Sequence, residues 1–408
     1  MTNRAVGVVA EFDPFHKGHH YLLSRIRSRF PDRGLVCVIS GSFTQRGTAA
    51  SLDKSLRARM ALEGGADLVL ELPVLWSSAS AERFARGGVG VLLDTGLVDT
   101  IAFGSESGEL EVLRDTASAI DSPQFQAGLR AGLEEGLSYA AARQRTVTEL
   151  IGEKARCLAE PNNNLAVEYL RALAYWRSPG VSAFTVARLG AGHDSRESDA
   201  PAVSASLLRD KMERRDWAGQ AAGLPESSFR LLSASLDRGE GTADLRRCQL
   251  ALLARLRTME EEDFARLPDF ETGLENRLAR AAGEAETLEE LYDLAKTRRY
   301  PEARVRRMVL WAFLGLEDAD RQDRVPYLRV LGANERGREL LREMKQSARQ
   351  PVITRAGQIR SLDREAQRVF RLEARAADLR ALCLPEGCCR RSGVEWSRQT
   401  VILPGQAD

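Results

Sequence analysis

The stretch AVGVVAEFDPFHKGHHYLL, residues 5–23, decides the fold because it joins an apolar run, a turn and a helical pattern. The run AVGVVA, residues 5–10, has the length and composition of a buried strand. Asp13-Pro14 indicates a turn, and from Lys17 onward the apolar residues recur at helical spacing. A buried strand that leads directly into a helix is the typical opening of a layered α/β fold.

Four later segments repeat the apolar strand pattern, with helical segments between them. They cover residues 34–40, 67–73, 98–106 and 182–190. Strands that alternate with helices predict an α/β fold with a doubly wound parallel sheet. Between the second and third strands we expect a helix over residues 51–66, with Ser51 as its N-cap.

The character of the chain changes after about residue 220, where helical periodicity dominates. We therefore predict two domains, one over residues 1–220 and a mainly helical one over residues 221–408. The pattern leaves open whether the end of the chain, about residues 376–408, is a strand-containing lid or a loosely packed tail.

Composition and charge limit the classes of function that the chain can have. The 408 residues include 59 basic and 58 acidic side chains, so the net charge is +1 and the whole chain is not a basic nucleic-acid binder, although local patches could be. We find no signal peptide and no run of about 18 apolar residues, so we expect no membrane span and a cytoplasmic location. The six cysteines are scattered without a CxxC pair, which indicates reduced thiols and no metal site.

The histidines are concentrated in one turn. Three of the four, His16, His19 and His20, lie within residues 16–20. His16 and His19 are three positions apart, so a first helical turn places both imidazoles on one face. That turn also presents free backbone N–H groups and the positive end of the helix dipole, which suit a phosphate. Gly18 omits a side chain where a nucleotide would approach the backbone.

Such a turn predicts nucleotidyl or phosphoryl transfer, in which His16 and His19 would donate hydrogen bonds to α-phosphate oxygens as charge develops. The alternative is that both histidines are surface or capping residues, and His20 is interpreted as a neighbour of the motif. Glu11 and Asp13 could help to hold a magnesium ion or could cap the turn. Lys54, at the start of a helix, could reach a phosphate or only solvent.

The turn resembles the HxGH nucleotidyltransferase superfamily, whose members make adenylates from ATP and release pyrophosphate. More narrowly, the chain is similar to the tRNA(Met) cytidine acetate ligase family. The stretches that carry this resemblance are GVVAEFDPFHKGHHYLL (7–23), SGSFTQRG (40–47), DKSLRARMALEGGADLVLELP (53–73), FGSES (103–107), PNNNLAVEYL (161–170), RLGAGHD (188–194), VSASLLR (203–209) and PYLRVLGANERG (326–337).

The resemblance implies a sheet of the HxGH nucleotidyltransferase type, followed by the mainly helical domain. It implies that the enzyme activates acetate as acetyl-adenylate, with ATP accompanied by Mg²⁺. The acetyl group would then pass to the wobble cytidine of elongator tRNA(Met), giving N4-acetylcytidine. His16 and His19 would be catalytic. The residues that would bind ATP are Val9, Glu11, Phe12, Pro14, Phe15, Gly18, Leu22, Gly104, Asn163, Arg188, Leu189, Ser204, Ser206 and Arg209.

A basic cluster in the helical part, KTRRYPEARVRR (296–307), is the predicted RNA-binding segment. Its phosphate-binding side chains would be Lys296, Arg298, Arg299, Arg304 and Arg307, with Tyr300 as a ring on which a base could stack. The alternative for this segment is a solvated helix face. Two other functions stay open at this point: a nucleotidyltransferase that adenylates a small metabolite, and an RNA-binding protein with a degenerate nucleotide site. Oligomeric state, acyl selectivity and the general base of acetyl transfer are not predictable from the pattern.

Overall fold

A computed structural model describes residues 5–188, 205–214 and 216–404 of the chain. The strands are β1 Ala5–Ala10, β2 Gly34–Ser40, β3 Leu68–Leu72, β4 Val98–Ser105, β5 Ser182–Ala187, β6 Leu328–Ala333, β7 Val352–Ile353 and β8 Val401–Ile402. The first four agree with the sequence prediction to within one residue at each end. The fifth begins at the predicted residue, and the end of the predicted segment, 189–190, lies outside the described residues.

The helices before residue 225 are α1 Lys17–Arg29, α2 Lys54–Glu63, α3 Val74–Ser77, α4 Ala81–Asp94, α5 Leu110–Ile120, α6 Pro123–Glu134, α7 Tyr139–Ile151, α8 Pro161–Tyr175, α9 Ala205–Glu213 and α10 Trp217–Gly223. The later ones are α11 Glu226–Asp237, α12 Gln249–Arg257, α13 Glu261–Ala265, α14 Leu274–Glu284, α15 Leu288–Ala295, α16 Glu302–Leu314, α17 Glu335–Ser347, α18 Arg364–Leu382 and α19 Val394–Ser397.

The strands form one sheet in the order β5-β4-β1-β2-β3-β6-β7, with β8 beside β6. The pairs among β1 to β5 are all parallel, whereas β6 runs antiparallel to β3. The strand order reverses between β1 and β4, because β2 and β3 extend the sheet in one direction and β4 and β5 in the other. Ligands of open α/β sheets bind at such a switch point, at the carboxyl ends of the strands.

Alternate residues of the central strands pack into two separate cores. On β2, Leu35, Cys37 and Ile39 belong to a core shared with α1 and α2, while Val36 and Val38 belong to a core shared with α4 and α8. Because successive side chains of a strand point to opposite faces, helices cover both faces of the sheet. The predicted doubly wound fold is therefore confirmed.

The chain after residue 327 returns to the sheet. Strand β6 pairs with β3, helix α17 packs on β2 and β3, and β8 closes on β6. Up to residue 404, the end of the chain thus contains the short strand β8 and the packed helices α18 and α19, so this part is not a loosely packed tail. The proposed domain boundary at residues 220 and 221 stays a prediction.

Helix α2 begins later than its sequence pattern indicates. Its N-cap is Asp53, whose Oδ1 accepts a hydrogen bond from the Ser55 backbone N–H at 2.8 Å. Ser51, the predicted cap, instead donates its hydroxyl to Asp13 Oδ1 at 2.6 Å. The Asp13 carboxylate therefore recruits the serine for a tertiary contact, and an aspartate two residues later replaces it as the cap.

A buried charge centre joins the late part of the chain to the sheet. Lys54, only 2% exposed, forms ion pairs through Nζ with Glu71 of β3, with Glu373 of α18 at 2.9 Å and with Glu395 of α19 at 2.8 Å. Burial opposes the charge of Lys54, but the three carboxylates raise its pKa above the usual value. Lys54 therefore reaches neither phosphate nor solvent, and both sequence-based interpretations of it are wrong.

We predict that Lys54→Met lowers the free energy of unfolding by about 3–5 kcal/mol, because three buried carboxylates lose their shared cation. Urea titration of the wild-type chain and the variant measures this change. Lys345→Met is the matched control, since Lys345 is exposed on α17 and should shift stability by less than about 0.5 kcal/mol. Equal midpoints for the two variants would show that the centre contributes nothing.

Candidate active site

A cavity of about 1020 Å³ opens at the carboxyl ends of β1, β4 and β5, at the point where the strand order reverses. The rest of its wall comes from the N-terminal ends of α1, α4, α8, α9 and α16, the loop after β2 and the end of α10. Eleven of the residues predicted from the sequence line it, namely Val9, Glu11, Phe12, His16, Gly18, His19, Leu22, Gly104, Arg188, Ser206 and Arg209. The fold therefore gathers side chains from positions 9 to 209 at one site.

The two motif histidines cap helix α1. His16 is the N-cap residue, and its Nδ1 accepts from the backbone N–H groups of Gly18 at 3.1 Å and His19 at 3.3 Å. In return, His19 Nδ1 accepts from the backbone N–H of His16 at 3.3 Å. This is a capping box in which two imidazoles take the places usually filled by Ser or Thr and Glu. His16 and His19 therefore cap the helix, as the alternative interpretation holds, and they also line the cavity, as the functional interpretation requires.

Capping fixes the protonation of both rings. A neutral imidazole that accepts at Nδ1 carries its proton at Nε2, so each ring keeps one N–H donor. The rings stack with their centroids 3.6 Å apart. Burial, with Arg188 and Arg209 nearby, lowers the pKa of His16 to about 4. Burial, His16 and Arg188 likewise hold the pKa of His19 well below its usual value. Both imidazoles are thus neutral donors at neutral pH.

Gly18 is required by the histidine itself. A Cβ at this position would lie 2.9 Å from His16 Cε1 and 3.1 Å from His16 Nδ1. Any side chain would therefore push the imidazole away from the helix N-terminus that it caps. The structure thus gives Gly18 a structural reason beside its place in the cavity wall.

The turn before the helix is held by aromatic packing. Phe12 has a positive φ of 50°, which is uncommon for a residue with a side chain. Its buried ring packs edge-on against Phe15, with centroids 5.0 Å apart, and against His19 at 4.8 Å. Phe15 is fully buried beside Gly64, and neither it nor Pro14 lines the cavity. Pro14 and Phe15, two of the predicted ATP contacts, therefore support the turn without lining the cavity.

The two carboxylates after β1 hold loops. Asp13 accepts hydrogen bonds from Ser51 N–H at 2.9 Å, from the Ser51 hydroxyl and from Leu52 N–H at 3.2 Å, so both of its oxygens are occupied. Glu11 Oε1 accepts from Gln45 N–H at 2.7 Å, and burial raises the pKa of Glu11. The two roles considered for these residues were magnesium binding and capping of the turn. Asp13 has a structural role, because it holds the loop at Ser51 and Leu52. Within the described ranges, no three His, Cys, Asp or Glu side chains converge as a metal site would require.

Arg57 is a site-forming residue that the sequence does not reveal. Its fully buried guanidinium donates to the carbonyls of Glu11 at 2.7 Å, Leu52 at 3.1 Å and Gly41. It thereby ties the carboxyl ends of β1 and β2 to the loop before α2. Arg57 lies in the stretch 53–73, which carries part of the family resemblance. Arginine is usually exposed, and no sequence pattern predicts that this one is buried and binds three backbone carbonyls.

The wall opposite the histidines is formed by β4, β5 and the start of α8. A Cβ on Gly104 would have Arg188 Cγ as its nearest neighbour at 3.5 Å, so the glycine leaves open space there. Arg188 Nη1 donates to Asn162 Oδ1 at 3.4 Å. Asn163 is 2% exposed and its Oδ1 accepts from Ser107 N–H at 3.1 Å. The structure therefore places Asn162 and Asn164, rather than Asn163, in the cavity wall.

Arg209 and Ser206 reach the cavity from α9. Arg209 Nη1 donates to the Asp13 carbonyl at 2.8 Å, which fixes the guanidinium beside the turn. Ser204 and Leu189, the other predicted contacts in this part of the chain, lie outside the described residues. Further wall residues that were not predicted from the sequence include Phe84, Tyr169 and Glu302.

The predicted RNA-binding segment surrounds the start of α16. Lys296 pairs with Asp293 and Glu302, while Arg299 and Arg304 both pair with Glu271. Arg307 is half-buried, and burial lowers its pKa. Arg298 is exposed. The Tyr300 ring is only 6% exposed, so the structure contradicts its proposed use as a stacking surface.

Among the helices described, none is long and apolar enough to cross a membrane.

Comparison with known proteins agrees with this geometry. The profile of the HIGH Nucleotidyl Transferase family matches residues 3–393. The tRNA(Met) cytidine acetate ligase of Fervidobacterium nodosum is 30% identical, over 98% of this chain and 100% of its own length. The enzyme of the same name from Acetivibrio thermocellus is 32% identical, with the same coverage.

A solved structure shares the whole architecture. The crystal structure of Thermotoga maritima TmcAL bound with alpha-thio ATP superposes with a TM-score of 0.90 and 29% sequence identity, and covers 98% of this chain and 100% of that one. The resemblance identified in the sequence is thereby confirmed: the chain belongs to the HIGH nucleotidyl transferase family and, within it, to the tRNA(Met) cytidine acetate ligases.

Proposed function

We propose that this protein is an ATP-dependent ligase that activates acetate and acetylates the wobble cytidine of elongator tRNA(Met). One observation carries the proposal: two neutral imidazoles, whose Nδ1 atoms accept backbone N–H groups and whose protons are therefore at Nε2, line a single large cavity together with Arg188 and Arg209. Donors and cations arranged in this way suit the phosphates of a nucleotide. The names of the full-length relatives and the nucleotide analogue in the related structure support the same activity.

In the first step, a carboxylate oxygen of acetate attacks the α-phosphorus of ATP. The bond between the α-phosphorus and the oxygen bridging to the β-phosphate breaks, and pyrophosphate leaves with that electron pair. His16 and His19 donate their Nε2–H groups to the oxygens that gain charge at the five-coordinate phosphorus. Because both rings are already fixed by helix capping, they need no reorganisation as the charge develops.

The remaining ATP contacts follow the cavity. We assign the nucleoside to the wall of Gly104, Asn162 and Arg188, because the glycine leaves open space there, and the phosphates to the histidines and Arg209. ATP would be accompanied by Mg²⁺, which neutralises phosphate charge. Both carboxylate oxygens of Asp13 already accept hydrogen bonds, so we do not assign Asp13 as a ligand of the Mg²⁺ ion.

In the second step, the N4 amine of cytidine attacks the acetyl carbon, and the bond to the AMP oxygen breaks. The amine is the nucleophile, so the protein needs none of its own. The nucleophile loses a proton as N4-acetylcytidine forms and AMP leaves. We propose that acetate is the acyl donor, and that the enzyme acts in the cytoplasm.

The two alternatives have less support. Adenylation of a small metabolite would not need the second, mainly helical half of the chain. A degenerate nucleotide site would not be expected to retain His16, His19, Arg188 and Arg209 together in one cavity wall. Binding of RNA by Lys296, Arg298, Arg299, Arg304 and Arg307 stays a prediction, and the ion pairs of Lys296, Arg299 and Arg304 already neutralise part of that segment.

The reaction itself is the first test. Incubation of the protein with ATP, acetate and deacylated total tRNA should yield N4-acetylcytidine, detected by mass analysis of tRNA nucleosides. Omission of acetate or ATP is the control, and replacement of acetate by propionate or formate measures the acyl selectivity. If the complete mixture yields no acetylated cytidine, the proposed function is wrong.

The second prediction separates chemistry from capping. His16→Asn keeps a good N-cap side chain but removes the Nε2–H donor, so ATP–pyrophosphate exchange should fall by about 10²–10³ with little change in melting temperature. His16→Ala should lose the cap as well and be destabilised by about 1 kcal/mol. His20→Asn is the matched control, since His20 is exposed outside the cavity. Exchange that survives in His16→Asn would exclude the histidine mechanism.

The third prediction follows from the lowered pKa of His16. The unfolded chain takes up a proton at this imidazole near its ordinary pKa of about 6.5, whereas the folded chain does so only near pH 4. Wild-type stability should therefore fall, as pH drops from 6.5 to about 4, by up to about 3 kcal/mol more than that of His16→Asn. Urea titrations across this range measure the difference, and parallel curves would contradict a neutral, buried His16.

A further inference from the structure

Four arginines lie on one side of helix α18. Arg364, Arg368, Arg371 and Arg375 are spaced by four, three and four residues, which places them within a narrow arc of a helix with 3.6 residues per turn. All four are exposed, whereas the opposite side of α18 is buried through residues such as Val369, Phe370 and Glu373. We call the four residues the arginine face. It extends along about 16 Å of helix.

The charge of the arginine face is only partly neutralised. Arg368 pairs with Asp320, and Arg375 Nη1 donates to the carbonyls of Leu314 at 3.1 Å and Gly315 at 3.4 Å. Over residues 5–188, 205–214 and 216–404, Arg364 and Arg371 have no acidic partner within ion-pair distance. The predicted segment 296–307 differs, because three of its cations are already paired with Asp293, Glu271 or Glu302.

Helix α16 connects the arginine face to the cavity. Its first turn, with Glu302 and Arg306, forms part of the cavity wall, and its last carbonyls are those to which Arg375 donates. The helix spans 13 residues, so Arg375, the last residue of the face, lies about 18 Å from the cavity along α16. If a folded RNA places one base in the cavity, its sugar–phosphate backbone can reach a surface at this distance from the cavity.

Helix α18 is also held rigidly. Glu373, on its buried side, binds Lys54 Nζ at 2.9 Å and the backbone N–H of Val74 at 2.8 Å, immediately after β3. Buried Arg380 donates to the carbonyls of Ala50 at 2.7 Å and Ser51 at 3.0 Å. The face is thereby fixed relative to the sheet that carries the reacting groups, so little ordering is needed when a ligand binds.

We propose that the arginine face binds the sugar–phosphate backbone of the RNA whose reacting cytidine lies in the cavity. The inference rests on the proposed function, because that function supplies the RNA. Planar guanidinium groups bind phosphate oxygens in pairs, and phosphate contacts orient a nucleic acid without reading its sequence. Arg364 and Arg371 provide the unneutralised charge, and Arg368 and Arg375 extend the row.

The test uses the full chain with Arg364→Ala and Arg371→Ala combined. Its affinity for tRNA should fall by about tenfold or more at moderate salt, and the slope of log Kd against log salt should become shallower by about 1.5, because two phosphate contacts are lost. ATP–pyrophosphate exchange without tRNA should be unchanged, which shows that the variant is folded. Arg364→Lys with Arg371→Lys should restore most of the salt slope.

Arg130→Ala with Arg177→Ala is the matched control. Both residues are exposed, Arg130 on α6 and Arg177 just beyond the end of α8 that lies away from the cavity. If the Arg364 and Arg371 variant binds tRNA like this control, the inference is wrong. Loss of affinity in Arg298→Ala with Arg299→Ala alone would assign the RNA to segment 296–307 instead.

Failure of the proposed function gives a different result. A wild-type chain that exchanges pyrophosphate but never acetylates tRNA would overturn that function and this inference together. A wild-type chain that acetylates tRNA, beside an arginine-face variant with unchanged Kd and unchanged KM for tRNA, would overturn only the inference.

Discussion

Each motif histidine both caps a helix and lines the cavity, and the site depends on this double use. Nδ1 of His16 and of His19 accepts backbone N–H groups at the start of α1, and the same rings that begin the helix lie in the cavity wall. The backbone conformation of Phe12, the missing side chain at Gly18 and the lowered pKa values all serve this arrangement.

A second constraint attaches the late part of the chain to the catalytic sheet. The Lys54 ammonium group collects carboxylates from β3, α18 and α19, far from solvent. Burial raises the pKa of Glu71 to about 8. Isolated buried charges are strongly unfavourable, and therefore each partner requires the others to be in place. The sheet edge and the C-terminal helices consequently form as one unit, although more than 300 residues separate Lys54 from Glu373.

The near-zero net charge conceals how the basic residues are distributed. Most arginines of segment 296–307 face acidic partners, while two guanidinium groups on the outer side of α18 have none among the described residues. Clusters of arginine in the sequence therefore do not by themselves locate a binding surface. What matters is the balance of opposite charge within ion-pair distance, and this balance depends on residues such as Glu271 and Asp320 that lie tens of residues away along the chain.

The sequence by itself determined the strands of the parallel sheet, the turn that carries His16 and His19 at the end of the first strand, and the family. These features depend on local patterns: apolar runs, a three-residue spacing and a glycine between two histidines. The tertiary structure decided the rest. It placed Asn162 instead of Asn163 at the cavity, turned Lys54 and Tyr300 into the interior, and made Arg57 a clamp for three carbonyls. The physical reason is that burial and pairing of a polar side chain are set by partners distant in sequence, which no local pattern contains.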